Sequence, residues 1–178
     1  MPYAVVLHLD PHRDQPIRSI YKELAEKDIA PAMYKVGINP HVTLAIYNGL
    51  RCQSCEKKLR TFANRNHVLE LNFSHIGVFN THEAVVFIAP TVTNQLLRLH
   101  AEVHDILQKD GLNPWELYLP EKWVPHSTLA LETPPSKIPQ AVEIVQQLNL
   151  PLKIKVISIG VIEFLPIISL FEFGLVKD

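Results

Sequence analysis

Cysteine is scarce in this chain, two in 178 residues, so no disulfide framework holds it together. Charge of one sign is not in excess either. Seventeen Lys and Arg stand against 18 Asp and Glu, a net charge of −1 with His neutral. Such a balance argues against a protein that binds by neutralising many phosphates, but it leaves room for a small phosphate ligand. No apolar run is long: "FLPIISLF", Phe164 to Phe171, is Pro-broken and far too short for a membrane span. The chain enters the strand-like "YAVVLHL" at once, with no basic region or cleavage-site pattern before it. We therefore expect no leader, no membrane partner and a cytoplasmic location. No Ser/Gly-rich or charged linker divides the chain. What is present is apolar, 47% of residues, enough for a substantial core in one domain over residues 1–178.

Hydrophobic periodicity sets out the elements. Strands are expected at "YAVVLHL", "HVTLAIY", "LELNFSHIGVF", "EAVVFIAP", "VPHSTLALE", "LKIKVISIGVIEF" and "ISLFEFGLV". Helices are expected at "PIRSIYKELAEKDI", "SCEKKLRTFANR", "TNQLLRLHAEVHDILQKDG", stopping at Gly111, and "PSKIPQAVEIVQQLN". The aromatic stretch "NPWELYLPEKW" reads as a loop. The second half replays the first. "AVVLHL" at Ala4 matches "AVVFIA" at Ala84, "PHVTLA" at Pro40 matches "PHSTLA" at Pro125, and "HIGVF" at His75 matches "SIGVI" at Ser158. The offsets are 80, 85 and 83, in the same order. Two copies are too few for a solenoid, so the pattern implies an α+β fold of two lobes facing one another across a pseudo-twofold axis.

The duplicated Pro-His-x-Thr-Leu-Ala carries chemistry. In a strand of period two, His41 and Thr43 share one face with the small Ala45, while Val42, Leu44 and Ile46 share the other. His126, Thr128 and Ala130 repeat the arrangement. Packing gives no reason to keep a His and a Thr together in both copies. Facing lobes would bring together two imidazoles and two hydroxyls, without any metal-ligand set. Phosphodiester cleavage needs one group to deprotonate the nucleophile and another to protonate the departing oxygen, and two histidines can hold those opposite states. Threonine hydroxyls can donate to the non-bridging phosphate oxygens.

The paired "HVTL" and "HSTL" in a duplicated strand–helix chain resemble the 2H phosphoesterase superfamily, which includes 2′-5′ RNA ligase-like proteins and cyclic nucleotide phosphodiesterases. "EKWVPHSTLALE" looks especially like the second motif of the ligase-like branch. The resemblance implies two antiparallel sheets forming a central cleft, helices outside, and no cofactor or metal. It implies hydrolysis of a 2′,3′-cyclic phosphate or a 2′-5′ linkage on a nucleotide or RNA end. His41 and His126 would be the acid/base pair, either one serving as base, and Thr43 and Thr128 the phosphate ligands. Ser127 stands at a position usually apolar in the motif and is expected to point away from the cleft. Leu131 stands where several ligase-type members carry Arg, which turns the expectation from RNA ligation toward hydrolysis. The alternatives are a non-catalytic nucleotide- or RNA-binding module and a reversible 2′-5′ RNA ligase.

Other signals have plainer readings. Cys52 and Cys55 have redox-motif spacing but read as ordinary thiols at a helix start. His100, Glu102 and His104 lack the spacing of a zinc-protease helix and read as core-edge residues. His8 falls opposite Ile88 in the repeat and reads as core or cleft wall. Arg51, Lys57, Lys58, Arg60 and Arg65 form a basic helix face of the solvated kind. Tyr34, Trp115, Tyr118 and Trp123 lie just before the motifs and are candidates for stacking on a base.

Overall fold

The computed structural model describes residues 1–82, 84–164 and 167–177. The chain runs β1 (Tyr3–Leu9), α1 (Gln15–Glu26), α2 (Ala32–Val36), β2 (His41–Leu50), α3 (Cys52–Ala63), β3 (Leu69–Phe79) and β4 (Ala84–Pro90). It continues through α4 (Asn94–Leu107), β5 (Gly111–Pro114), a 3-10 turn (Glu116–Tyr118), β6 (Ser127–Thr133), α5 (Ile138–Val145), β7 (Leu152–Glu163) and β8 (Ile168–Gly174). The expected strands and the four long helices are present. Short α2 and β5 were not expected, and α4 ends at Leu107, so Gly111 opens β5 rather than closing the helix. Four residues that include Asn113 and Pro114 carry turn chemistry. They become a strand by pairing with the far end of β2.

All eight strands join one antiparallel ladder, in the order β5-β2-β1-β7-β3-β4-β6 with β8 also on β7. The two expected sheets are the two arms of this ladder. β2, β1 and the second half of β7 make one arm; β6, β4 and the second half of β3 make the other. They meet where Leu69–Phe73 pairs with Leu152–Val156. Leu71 lies opposite Ile154, its own equivalent at the offset of 83, so the pseudo-twofold axis passes through that pair. Each copy therefore lends its last strand to the other copy's arm. The helices cross over too: α1 packs on β6 and α5, α4 on β2 and α3. This exchange ties the lobes to a shared core.

Apolar stripes explain which face the helices cover. Ile17, Ile20, Tyr21 and Leu24 of α1, Leu59 and Phe62 of α3, Leu96, Leu99, Val103 and Leu107 of α4, and Ile144 and Val145 of α5 pack into one cluster. That cluster includes Val5, Leu7, Val86, Ile88, Ile154 and Val156 from the strands. The Thr93 side chain caps α4 by accepting from the Leu96 amide at 3.2 Å. The opposite face of the ladder carries a separate small cluster, Ala4, Val6, Ile46 and Ile162, with Tyr118 against it. This helix-free face is the cleft. No helix among the described residues is long and apolar enough to cross a membrane.

Candidate active site

The motif strands do not alternate throughout. Val6 pairs with Thr43 but Val5 pairs with Ala45, which leaves Leu44 as an extra residue. In the other arm Phe87 pairs with Thr128 and Val86 with Ala130, leaving Leu129 extra. Each copy thus has a β-bulge directly after its threonine, and a bulge resets which face the next residues occupy. Leu44 and Ala45 both enter the helix-covered core, as do Leu129 and Ala130. The expectation that Ala45 and Ala130 line the cleft is therefore corrected, and so is the expectation that Ile46 lies with Val42 and Leu44. Ile46 turns to the cleft face, beside Ala4 and Val6. The repeated Leu-Ala is the sequence trace of the bulge: one large and one small residue buried side by side. Ser127 is buried on the core side, paired with Ile88, as expected.

A bulge turns carbonyls out of the ladder, and here each arm supplies donors for them. The Trp123 indole N–H donates to the Thr43 carbonyl at 3.0 Å, and His104 Nε2 donates to the Leu44 carbonyl at 3.2 Å. In the other arm the Tyr21 hydroxyl donates to the Thr128 carbonyl at 3.0 Å. These donors brace the backbone that aims each threonine. His100 and His104 therefore sit at the core edge as expected. His100 stacks on Trp123 at 4.0 Å and 1°, with its Nε2 on the Tyr118 carbonyl.

The motif imidazoles are held in matching fashion. His41 Nδ1 lies 2.8 Å from the carbonyl of Asn39, and His126 Nδ1 lies 2.7 Å from the carbonyl of Val124. A carbonyl can only accept, so Nδ1 carries the proton in both rings and Nε2 is left for chemistry. Asn39 is itself held: its side-chain oxygen accepts from Arg18, which makes a two-pronged ion pair with buried Asp14 at 2.8 Å. Burial pushes the proton affinity of His41 down to about 4. The Asn39 carbonyl pulls it back up, while His8 and His126, both within electrostatic reach, press it further down. Burial also lowers His126, opposed by the Val124 carbonyl.

The surroundings of the two rings differ. His126 sits among aromatic rings: Phe79 edge-on at 4.9 Å, Phe87 at 5.2 Å and Tyr118 at 6.5 Å. Phe79 and Phe87 were not singled out by sequence reasoning. Phe87 lies over Gly77, where an added Cβ would come within 2.3 Å of its ring, and that repeated glycine was the available signal. Beside His41 on the neighbouring strand stands His8, its cross-strand partner. The pairing of Val6 and Phe87 with the two threonines sets the offset in these strands at 81, not 80, so His8 corresponds to Ala89 rather than Ile88. A slip of one residue moves a side chain to the other face. His8 thus belongs to the cleft face.

The aromatic candidates separate. Tyr118 is half-buried against the cleft cluster and near His126. Tyr34 lies on α2, 51% exposed. Trp115 is 43% exposed at the far end of β2, its indole N–H donating to Asn48 at 2.8 Å. Trp123 is 9% exposed, stacked on His100 and bonded to Thr43. It plugs the core, which corrects its place among the base-stacking candidates. In the basic run, Lys58, Arg60 and Arg65 are paired with Asp110, Glu56 and Glu102. Cys52 opens α3 and Cys55 is buried, its thiol pushed up to about 12 by burial. Among the described residues, no group of three or more His, Cys, Asp or Glu could hold a metal ion.

Residues 51–165 match the model of the 2′-5′ RNA ligase superfamily, a stretch that includes the second motif and begins after the first. Solved structures share the fold over nearly all of both chains. Escherichia coli LigT complexed with 3′-AMP is 16% identical, with a TM-score of 0.63 over 98% of this chain and 99% of that one. TT0787 of Thermus thermophilus is 17% identical, with a TM-score of 0.60 over 98% of each chain. Kluyveromyces marxianus Usb1 is 13% identical, with a TM-score of 0.53 over 95% of this chain and 97% of that one. At these identities the likeness is one of fold. Among curated proteins, none matches the chain.

Proposed function

The chain belongs to the 2′-5′ RNA ligase superfamily, the 2H phosphoesterases, and from that premise we propose that it is a metal-independent phosphodiesterase. It hydrolyses a 2′,3′-cyclic phosphate, or a 2′-5′ linkage, on a nucleotide or RNA end. The observation that carries this reading is the matched hold on His41 and His126. Each Nδ1 is committed to the carbonyl two residues earlier, and each Nε2 is left over.

In the reaction, one Nε2 takes a proton from water as the water oxygen bonds to phosphorus. The bond from phosphorus to one ribose oxygen breaks, and the other imidazole gives its proton to that oxygen. Thr43 and Thr128 donate to the non-bridging oxygens, where charge grows in the transition state. Acid, base and charge stabilisation are all supplied by side chains, so the scheme has no step that requires a metal. LigT bound to 3′-AMP supports a nucleotide-sized ligand here by analogy, and Tyr118, on the cleft face near His126, would contact it.

Hydrolysis is favoured over RNA joining by two features. The chain has no net basic charge to hold two RNA ends, and an apolar side chain, Leu131, stands exposed after the second motif. The test is a substrate panel in excess EDTA: 2′,3′-cyclic mononucleotides, 2′-5′-linked dinucleotides, and RNA halves with cyclic phosphate and 5′-hydroxyl ends. Turnover of the first or second class is expected. A joined product from the third, with no hydrolysis, would assign a ligase. Binding with no turnover of any class would assign a binding module.

A further inference from the structure

The two motif histidines share backbone geometry, yet catalysis needs one to begin neutral and the other protonated. Something outside the motifs has to tell them apart. The arms differ most clearly at one position on the strand next to each motif. On β1 it is His8, paired across the ladder with His41. On β4 the corresponding residue is Ala89, one beyond the Ile88–Ser127 pair.

Both ring nitrogens of His8 are buried without a hydrogen-bond partner, an expensive state that calls for a reason. Its Nε2 lies 3.9 Å from Glu172 Oε2 on β8. The other carboxylate oxygen of Glu172 accepts from the Ser158 hydroxyl, and Ser158 is the residue opposite His8 on β7. Gly160 keeps this corner open, because a Cβ there would fall 3.1 Å from His8 Nε2 and 2.8 Å from the Phe171 carbonyl. A row of polar groups thus runs from His41 through His8 to Ser158 and Glu172. The corresponding row beside His126 runs through Ala89 to His75 on β3, so it lacks an imidazole next to the motif and a carboxylate behind it.

We propose that His8, backed by Glu172, is the positioning residue that breaks the twofold symmetry of the site and makes His41 its base. Neighbouring imidazoles do not readily both carry a proton. A carboxylate stands behind His8 and only a carbonyl beside His41, so a proton offered to the pair settles on His8. His41 keeps the Nε2 lone pair that a base requires. Beside His126 the place of His8 is taken by Ala89, which cannot hold a proton, and His75 lies one strand further away on β3. His126 then delivers the proton to the departing ribose oxygen. The groups facing His41 are His8 from β1 and His126 from the head of β6. Ser158 and Glu172 stand behind His8, and Arg18 of α1, neutralised by Asp14, reaches only Asn39. The assignment rests on the two-histidine reading above.

The test titrates the imidazole signals of His41 and His126 by NMR in the wild type, His8→Gln and Glu172→Gln, alongside the pH dependence of kcat/KM on a 2′,3′-cyclic nucleotide. Both variants should move the His41 titration up by about half a unit or more and leave that of His126 in place. The acid limb of kcat/KM should follow His41 upward, an activity loss of about twofold at pH 4, while the basic limb stays. An unmoved His41 in both variants, or a shift of the basic limb instead, overturns the proposal. Glu172 is partly exposed, so Glu172→Gln carries the test if His8→Gln fails to fold. If the wild type turns over no substrate, the function proposed above falls, and the His41 titration still decides the part played by His8.

Discussion

The two arms of the ladder use one backbone and two environments. In both, a proline precedes a histidine whose Nδ1 is tied to a carbonyl two residues back, and a bulge follows the threonine. Around His41 the neighbours are polar: His8, Ser158 and Glu172, with Arg18 reaching Asn39 from behind. Around His126 they are Phe79, Phe87 and Tyr118. Duplication alone yields two equivalent imidazoles, and an acid/base pair needs two unequal ones. If both halves aim at one phosphate, as proposed, the bulge, the carbonyl contact and the hydroxyl have reason to repeat, while residues that set the charge state are free to diverge.

The largest test of this comparison is loss of either imidazole. His41→Ala and His126→Ala should each lower kcat by about 10²-fold or more, and the double variant should cost far less than the product of the two, as expected for residues acting as a unit. Circular dichroism checks that the fold is kept. Full activity in either single variant would mean that the arm concerned contributes no proton transfer. Next come the hydroxyls: Thr43→Val and Thr128→Val should each lower kcat by about tenfold to a hundredfold. A much larger loss in one arm would show which threonine faces the oxygen that gains most charge.

A third test is thermodynamic. Folded His41 and His100 take up protons only near pH 4, and burial also lowers His126, His104 and His8. In the unfolded chain these histidines titrate near pH 6.5. Between those values the unfolded state binds more protons, so stability rises with pH there. The melting temperature should be level above about pH 7 and fall as the pH drops from about 6.5 toward 4. His41→Gln should make that fall shallower; an unchanged pH dependence would argue that its ring is not held neutral by the fold.

The smallest effects are expected from the braces behind the bulges. Trp123→Phe and Tyr21→Phe each remove one hydrogen bond, to Thr43 and Thr128 respectively. Each should cost about 1 kcal/mol of stability, read from denaturant unfolding. If the braces aim the threonines, kcat should drop a few-fold in each while KM holds.

His41, Thr43, His126 and Thr128 stood out as candidates because a duplication repeated polar residues that packing had no reason to repeat. The helices were legible from their apolar stripes, such as Ile17, Ile20, Tyr21 and Leu24. The bulge was not: Leu44-Ala45 is compatible with simple alternation until the partner strand shows the extra residue. The place of His8 was hidden by the similarity of "AVVL" and "AVVF", which match best in sequence one residue away from their structural register. Trp123 could not be told from a base platform because a plug and a platform ask for the same residue type, and only its stacking on His100 distinguishes them.

The most direct measurement is incubation of the wild type, His41→Ala and His126→Ala with a 2′,3′-cyclic mononucleotide in EDTA, resolving 2′- from 3′-phosphate products. A site whose acid stands on one side of phosphorus and whose base stands on the other should release a single isomer, and both variants should slow its release by about 10²-fold or more. Both isomers in comparable amounts, or near-wild-type turnover in either variant, would contradict the two-histidine account.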